Sequence, residues 1–170
     1  FARFSPSQDL LTDCEIVEII SCFAQLGVSN IRITGGEPLV RPGISKLISR
    51  LSCLPGISDI SLSTNGVLLA SLMRDLKEAG LKRVNISLDS LNPDKFSRIT
   101  RFGTLGSVMK GIESALDAGL APVKINVVVA RGMNDDEVGD FVALTEDKPV
   151  HVRFIELMPM GETGFFTNER

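Results

Sequence analysis

The chain alternates between two hydrophobic periods. Stretches with apolar residues three and four apart are followed by short stretches in which apolar and polar residues alternate. Thr12-x-x-Glu15 is a capping box ahead of Ile16, Ile19, Ile20 and Phe23 on one helical face, and Gly27 stops that helix. Asn30 to Thr34 then reads as a strand. Pro42 starts a second helix carrying Ile44, Leu47, Ile48 and Leu51, which Pro55-Gly56 breaks. Asp59 to Ser63 is the next strand, with Asn65-Gly66 as its turn. Leu69, Leu72, Met73 and Leu76 mark a third helix, stopped at Gly80, and Arg83 to Asp89 a third strand. Asn92-Pro93 opens another helix, and a further one runs from Leu105 to Asp117. Pro122 to Val129 is the most strand-like stretch. Asn134 is expected to cap a helix whose first turn carries Asp135, Asp136 and Glu137, the sign that suits the helix dipole. His151 to Ile155 is the last strand, and residues 161–170 show no clear period.

Strands separated by helices imply a parallel sheet with right-handed crossovers. Either an open doubly wound sheet or a (β/α) barrel satisfies the order. At period two, one face of each strand is apolar: Ile31 and Ile33; Ile60 and Leu62; Val84, Ile86 and Leu88; Val123, Ile125 and Val127; Val152 and Phe154. The other face is polar: Arg32 and Thr34; Ser61 and Ser63; Asn85, Ser87 and Asp89; Lys124 and Asn126; His151 and Arg153. A sheet covered on both faces reads as nearly continuous apolar runs, which these strands do not. The helices are therefore expected on the apolar face alone, leaving a polar cavity on the other. Burying Arg32, Lys124 and Arg153 without partners costs several kcal/mol each, so that cavity should hold an anion or stay wet.

Composition narrows the class. The 170 residues are 44% hydrophobic and 23% charged with net charge −3, values of a globular chain rather than a disordered, collagen-like or disulfide-stapled one. No apolar run is long enough for a membrane helix, no signal-peptide core follows Phe1, and the acidic balance gives no support for nucleic-acid binding. Cys14, Cys22 and Cys53 form no C-x-x-C spacing and read as buried or half-buried thiols of a reducing, cytoplasmic compartment. His151 is the sole histidine, which excludes a two-histidine metal site.

The chemistry gathers at Thr34-Gly35-Gly36-Glu37-Pro38, directly after the first strand. Two glycines at a strand's C-terminal end let backbone approach a ligand, at the place where parallel α/β folds bind theirs. Glu37 adds a carboxylate able to accept hydrogen bonds from an amino group.

This segment resembles the Gly-Gly-Glu signature of radical S-adenosylmethionine (SAM) enzymes. Six further segments agree in order with their GTP 3′,8-cyclase family, which acts in molybdenum cofactor biosynthesis: Leu62-Ser-Thr-Asn-Gly66, Val84-Asn-Ile-Ser-Leu-Asp-Ser-Leu91, Phe96-Ser-Arg-Ile-Thr100, Val123-Lys-Ile-Asn126, Asn134-Asp-Asp-Glu137 and Arg153-Phe-Ile-Glu-Leu-Met-Pro159. The resemblance implies an unclosed, partial (β/α)₆ barrel of TIM type. It implies SAM and [4Fe–4S] clusters as cofactors, and GTP as the substrate rearranged to a 3′,8-cyclised nucleotide. Cyclic pyranopterin monophosphate synthase would consume the product. By the same resemblance Gly36, Glu37, Ser87 and Met158 match SAM-binding positions. Gly36 would meet the methionyl group through its backbone, and Glu37 would help orient the ammonium. Arg32, Ser63 and Lys124 match GTP-binding positions, with Ser63 in place of the usual Thr. Arg153 matches a basic position near the substrates.

The family's C-x-x-x-C-x-x-C cluster triplet is not in these residues, nor are its C-terminal cysteines, arginine-rich segment and terminal Gly-Gly. No metal ligand and no catalytic residue is therefore assigned. The expectation is that residues 1–170 form one domain, a central fragment lacking the first barrel strand and inactive alone. Its unpaired sheet edge would invite homodimerisation. The alternatives are another radical SAM enzyme, acting on peptides or haem precursors, and a non-catalytic nucleotide-binding module.

Overall fold

The computed structural model describes residues 10–100, 102–120 and 122–158. The expected capping box is present: Glu15 N–H donates to Thr12 Oγ1, the Thr12 N–H donates back to Glu15, and α1 (Asp13–Gln25) follows. The chain continues through β1 (Asn30–Ile33), α2 (Ile44–Ser52), β2 (Asp59–Thr64), α3 (Leu69–Glu78) and β3 (Arg83–Ser87). It then forms α4 (Pro93–Ile99), α5 (Leu105–Asp117), β4 (Val123–Val129), α6 (Val138–Asp147) and β5 (Val150–Glu156). Each strand pairs in parallel with the next, in the order β1-β2-β3-β4-β5. A doubly wound sheet reverses its order partway, and this one does not. With right-handed crossovers, sequential order places all helices on one face. The sheet is an unclosed part of a (β/α) barrel.

The core lies between that face and the helices. Leu62, Val84, Ile86, Val123 and Ile125 of the strands pack with Ile48, Leu69, Leu76, Val108 and Ile112 of the helices, all inaccessible to solvent. Gly111 fits only because it lacks a side chain, since a Cβ there would meet the Gly66 carbonyl oxygen at 2.6 Å. Among the described residues no helix is long and apolar enough to cross a membrane.

Five local expectations are corrected. Helix α2 begins at Ile44, not Pro42: Pro38–Val40 form a separate 3₁₀ turn, and Gly43 at φ +75° interrupts helical continuation. Strand β3 ends at Ser87, because the Asp89 carbonyl and carboxylate are taken by side-chain bonds rather than by the ladder. Asn134 caps no helix. Its Oδ1 accepts from the Ala130 N–H at 2.8 Å, and its Nδ2 donates to the Asp89 and Val128 carbonyls at 2.6 and 2.9 Å. Phe154 is not core. It is half exposed on the edge strand, with its ring at 88° to Phe141. All three cysteines are exposed rather than buried, because they lie on the outer surface of α1 and at the end of α2. Residues 161–170 lie outside the described part.

Candidate functional site

Register turns the polar alternation into rows that cross the helix-free face. One row is Ser87–Asn126–Arg153, the next Ser63–Asn85–Lys124–His151, the next Arg32–Ser61–Arg83, and the last Asn30–Asp59. Successive rows are two residues apart, about 6.6 Å along a strand. Arg32, Lys124 and Arg153 make no hydrogen bond or ion pair to any described residue. Arg32 and Arg153 are exposed and Lys124 is half-buried, so the face stays wet. Burial, followed by the positive charges of Arg153, Arg83 and Arg32, pushes the Lys124 ammonium below the usual lysine range. Arg83 is paired with Asp59, but Arg153, Lys124 and Arg32 have no counter-ion among the described residues, and like charges gathered in this way favour an anionic ligand.

The Thr34–Gly36 turn leaves the C-terminal end of β1 fully exposed. Gly35 sits at φ +151° with nothing within 4 Å of where a Cβ would stand, so its backbone is open to a ligand. Glu37 is more constrained. Its Oε1 accepts from the Leu39 N–H at 3.0 Å and the Thr64 hydroxyl at 2.7 Å, and its Oε2 accepts from the Asn65 N–H at 2.7 Å. A carboxylate has about four acceptor positions, so Glu37 principally ties the glycine turn to the end of β2.

Ser87 is exposed at the end of β3, and Met158 lies exposed just beyond β5. Beside Ser87 in register, Asn126 Oδ1 is a buried acceptor with no partner. That orphaned oxygen, the exposed Ser87 hydroxyl and the open glycine turn fit a polar nucleoside ligand such as SAM. Cys14, Cys22 and Cys53 do not fit an iron–sulfur cluster, and the described residues contain no group of three metal-ligating side chains. A cavity of about 910 Å³ also borders the turn; under α1 it is walled by apolar residues such as Ile16, Ile20, Ile31 and Ile44, and its charged lining is Arg32, Glu37 and the Arg41–Asp13 ion pair.

Sequence reasoning missed a second polar cluster that braces this end of the sheet. Glu137 is buried and accepts from the Ser90 hydroxyl, the Leu91 N–H at 2.6 Å and the Asn92 N–H at 3.2 Å, with Lys95 Nζ at 3.2 Å. Burial pushes its carboxyl upward, but the hydrogen bonds from Leu91, Ser90 and Lys95 outweigh it and hold it below its ordinary range. Asp89, bonded to the Val128 N–H at 2.8 Å, is instead raised because burial dominates. The missed signal was the acidic run after Asn134, which reads equally well as a helix first turn. Arg83 and Asp59 were also missed, although period two carries the polar face one step back to each.

Known proteins resemble this chain in sequence and in fold. The chain is 53% identical over 163 residues to GTP 3′,8-cyclase of Alkaliphilus metalliredigens, covering 96% of this chain and 51% of that protein. It is 54% identical over 163 residues to the protein of that name from Alkaliphilus oremlandii, with the same coverage. Against the one from Listeria welshimeri it is 48% identical over 167 residues, covering 98% of this chain and 50% of that protein. The chain thus spans about half the length of these curated relatives. A solved structure of TYW1 with a lysine–pyruvate adduct bound shares the fold, with TM-score 0.56 and 22% identity over 87% of this chain and 52% of that one. The model of the Radical SAM superfamily matches residues 2–145. The sequential parallel sheet, the glycine turn at its ligand end and this match together place the chain in the radical SAM superfamily.

Proposed function

We propose that this chain supplies the SAM- and GTP-binding half of a radical SAM GTP 3′,8-cyclase. The observation that carries the reading is the staircase of unpaired cations, Arg153, Lys124 and Arg32, on the helix-free face below an open Gly-Gly turn. The staircase suits a triphosphate, because charge-assisted hydrogen bonds to phosphoryl oxygens are about twice as strong as neutral ones. The names of relatives about half identical to this chain support the same substrate.

In this reading the Gly36 backbone receives the methionyl group of SAM, and Glu37 holds the turn in place. Ser87 and Asn126 bond the nucleoside, and Met158 closes that side. Arg32, Ser63, Lys124 and Arg153 hold GTP. When bound and cleaved by a one-electron reductant, SAM would supply a 5′-deoxyadenosyl radical that abstracts a hydrogen atom from the ribose of GTP. The cluster that cleaves SAM has no ligand set in these residues, so no step is derived through it. The product, a 3′,8-cyclised guanosine triphosphate, passes to cyclic pyranopterin monophosphate synthase in the cytoplasm.

Equilibrium dialysis of GTP against the protein tests the substrate assignment. Saturable binding that weakens steeply with added salt is expected. Binding of SAM with no binding of GTP would favour a radical SAM enzyme with a different substrate.

A further inference from the structure

The foot of the helix-free face carries a charged group that the proposed function leaves unused. Arg83 opens β3 and Asp59 opens β2. Arg83 Nε donates to Asp59 Oδ1 at 3.1 Å, and Arg83 Nη2 donates to Asp59 Oδ2. With Asn30, Ile31, Arg32 and Ser61 they line a polar cavity of about 310 Å³. Arg32, Ser61 and Arg83 are register partners on three adjacent strands, so a guanidinium stands on each side of the buried Ser61. The Ser61 hydroxyl spends its proton on the Ile31 carbonyl, at 3.2 Å, and keeps no donor for the cavity.

The arrangement is lopsided in charge. Two guanidiniums face one carboxylate, and the carboxylate is taken by Arg83 alone. A guanidinium has about five N–H donors in a rigid fork; Asp59 engages two of them and fixes the fork. The rest of the fork has no acceptor among the described residues, and Arg32 has none at all. The cavity also lies in line with the cations above it. Arg153 on β5, Lys124 on β4 and Arg83 on β3 descend a diagonal, each step one row down (about 6.6 Å) and one strand across (about 4.8 Å), so a chain of phosphoryl groups held at the upper rows points toward this cavity. Arg83 is electrostatically part of the site, since its charge contributes to the depression of the Lys124 ammonium.

We propose that the Arg32–Arg83 cavity is the subsite for the terminal phosphoryl group of a nucleoside triphosphate, and that Arg83, held by Asp59, makes the site prefer triphosphates to shorter nucleotides. The proposal rests on reading this face as the GTP site. Arg83 acts by binding, not by chemistry, so its signature is a change in preference among nucleotides.

The test is equilibrium dialysis of GTP, GDP and GMP against the full-length protein carrying this sequence and against its Arg83→Met and Asp59→Asn variants. Arg83→Met is expected to weaken GTP about tenfold and GMP less than about twofold, and retained GMP binding also reports that the variant is folded. Asp59→Asn keeps an Oδ1 acceptor that still holds the Arg83 Nε and removes the nearest negative charge, so its GTP affinity is expected to hold or rise. An unchanged ratio of GTP to GMP affinity in Arg83→Met overturns the subsite. So does a loss in Asp59→Asn as large as in Arg83→Met, the mark of a purely structural ion pair. If the unaltered protein binds none of the three nucleotides, the reading of the face as a GTP site falls, and the subsite falls with it.

Discussion

Glu37 carries two demands at once. As a carboxylate at a ligand-binding turn it suits an ammonium, yet Leu39, Thr64 and Asn65 already donate to it. Its removal strands those donors at the joint between β1 and β2. A half-buried donor left unpaired costs about 1–3 kcal/mol, so Glu37→Ala is expected to lower unfolding stability by about 3 kcal/mol. Urea denaturation measures it, and a loss under about 1 kcal/mol would mean the bonds carry little weight. The cysteines make the opposite point. Small, apolar and widely spaced, they read as core residues, but all three are exposed. A thiol reagent should therefore modify three cysteines per native chain without unfolding it; protection of any of them would contradict their placement.

Among the elements, long periodic helices were legible and segment ends were not. Helix α5 begins and ends where its apolar stripe does, because Thr104 caps it and the chain turns left-handed at Gly119. The stretch 130–137 was misread because the capping signature of Asn134 is local, whereas its side chain is held in part by the Asp89 carbonyl just past β3, 45 residues away in sequence. Long-range side-chain bonds leave no periodic trace. The same network predicts an acid response. Glu137 is held below its ordinary range, so its contribution is present above the unfolded carboxylate range and is lost as pH falls through its lower folded value. Asp89, whose carboxyl is raised, contributes in the opposite sense and loses its part as pH rises through its folded value. The bonded Glu137 should dominate, because it braces three backbone and hydroxyl donors at once. Glu137→Ala is expected to cost about 3–5 kcal/mol at neutral pH and to flatten the loss of stability on acidification. A thermal melt series across acidic pH checks both, and an unchanged slope would assign acid lability elsewhere.

For the whole molecule, fold class was readable because a parallel sheet with helices on one face must alternate polar and apolar residues along every strand. The polar face was readable for the same reason, including Arg32, Ser63, Ser87, Lys124 and Arg153. What alternation could not reveal was the row structure across strands, which depends on register and brings Arg83 level with Arg32. The cysteines carry the other whole-molecule prediction. Because Cys14, Cys22 and Cys53 make no cluster site, the 170-residue chain, after anaerobic iron–sulfur reconstitution, should form no 5′-deoxyadenosine from SAM. Appreciable product would show that ligands for a working cluster are present after all. The central claim, that a staircase of unpaired cations holds a triphosphate, is most directly tested by the GTP affinity of the full-length protein with Arg32→Ala or Lys124→Ala. Each is expected to weaken binding by about 1–3 kcal/mol; unchanged affinity in both would make the polar face a solvated surface and contradict the account.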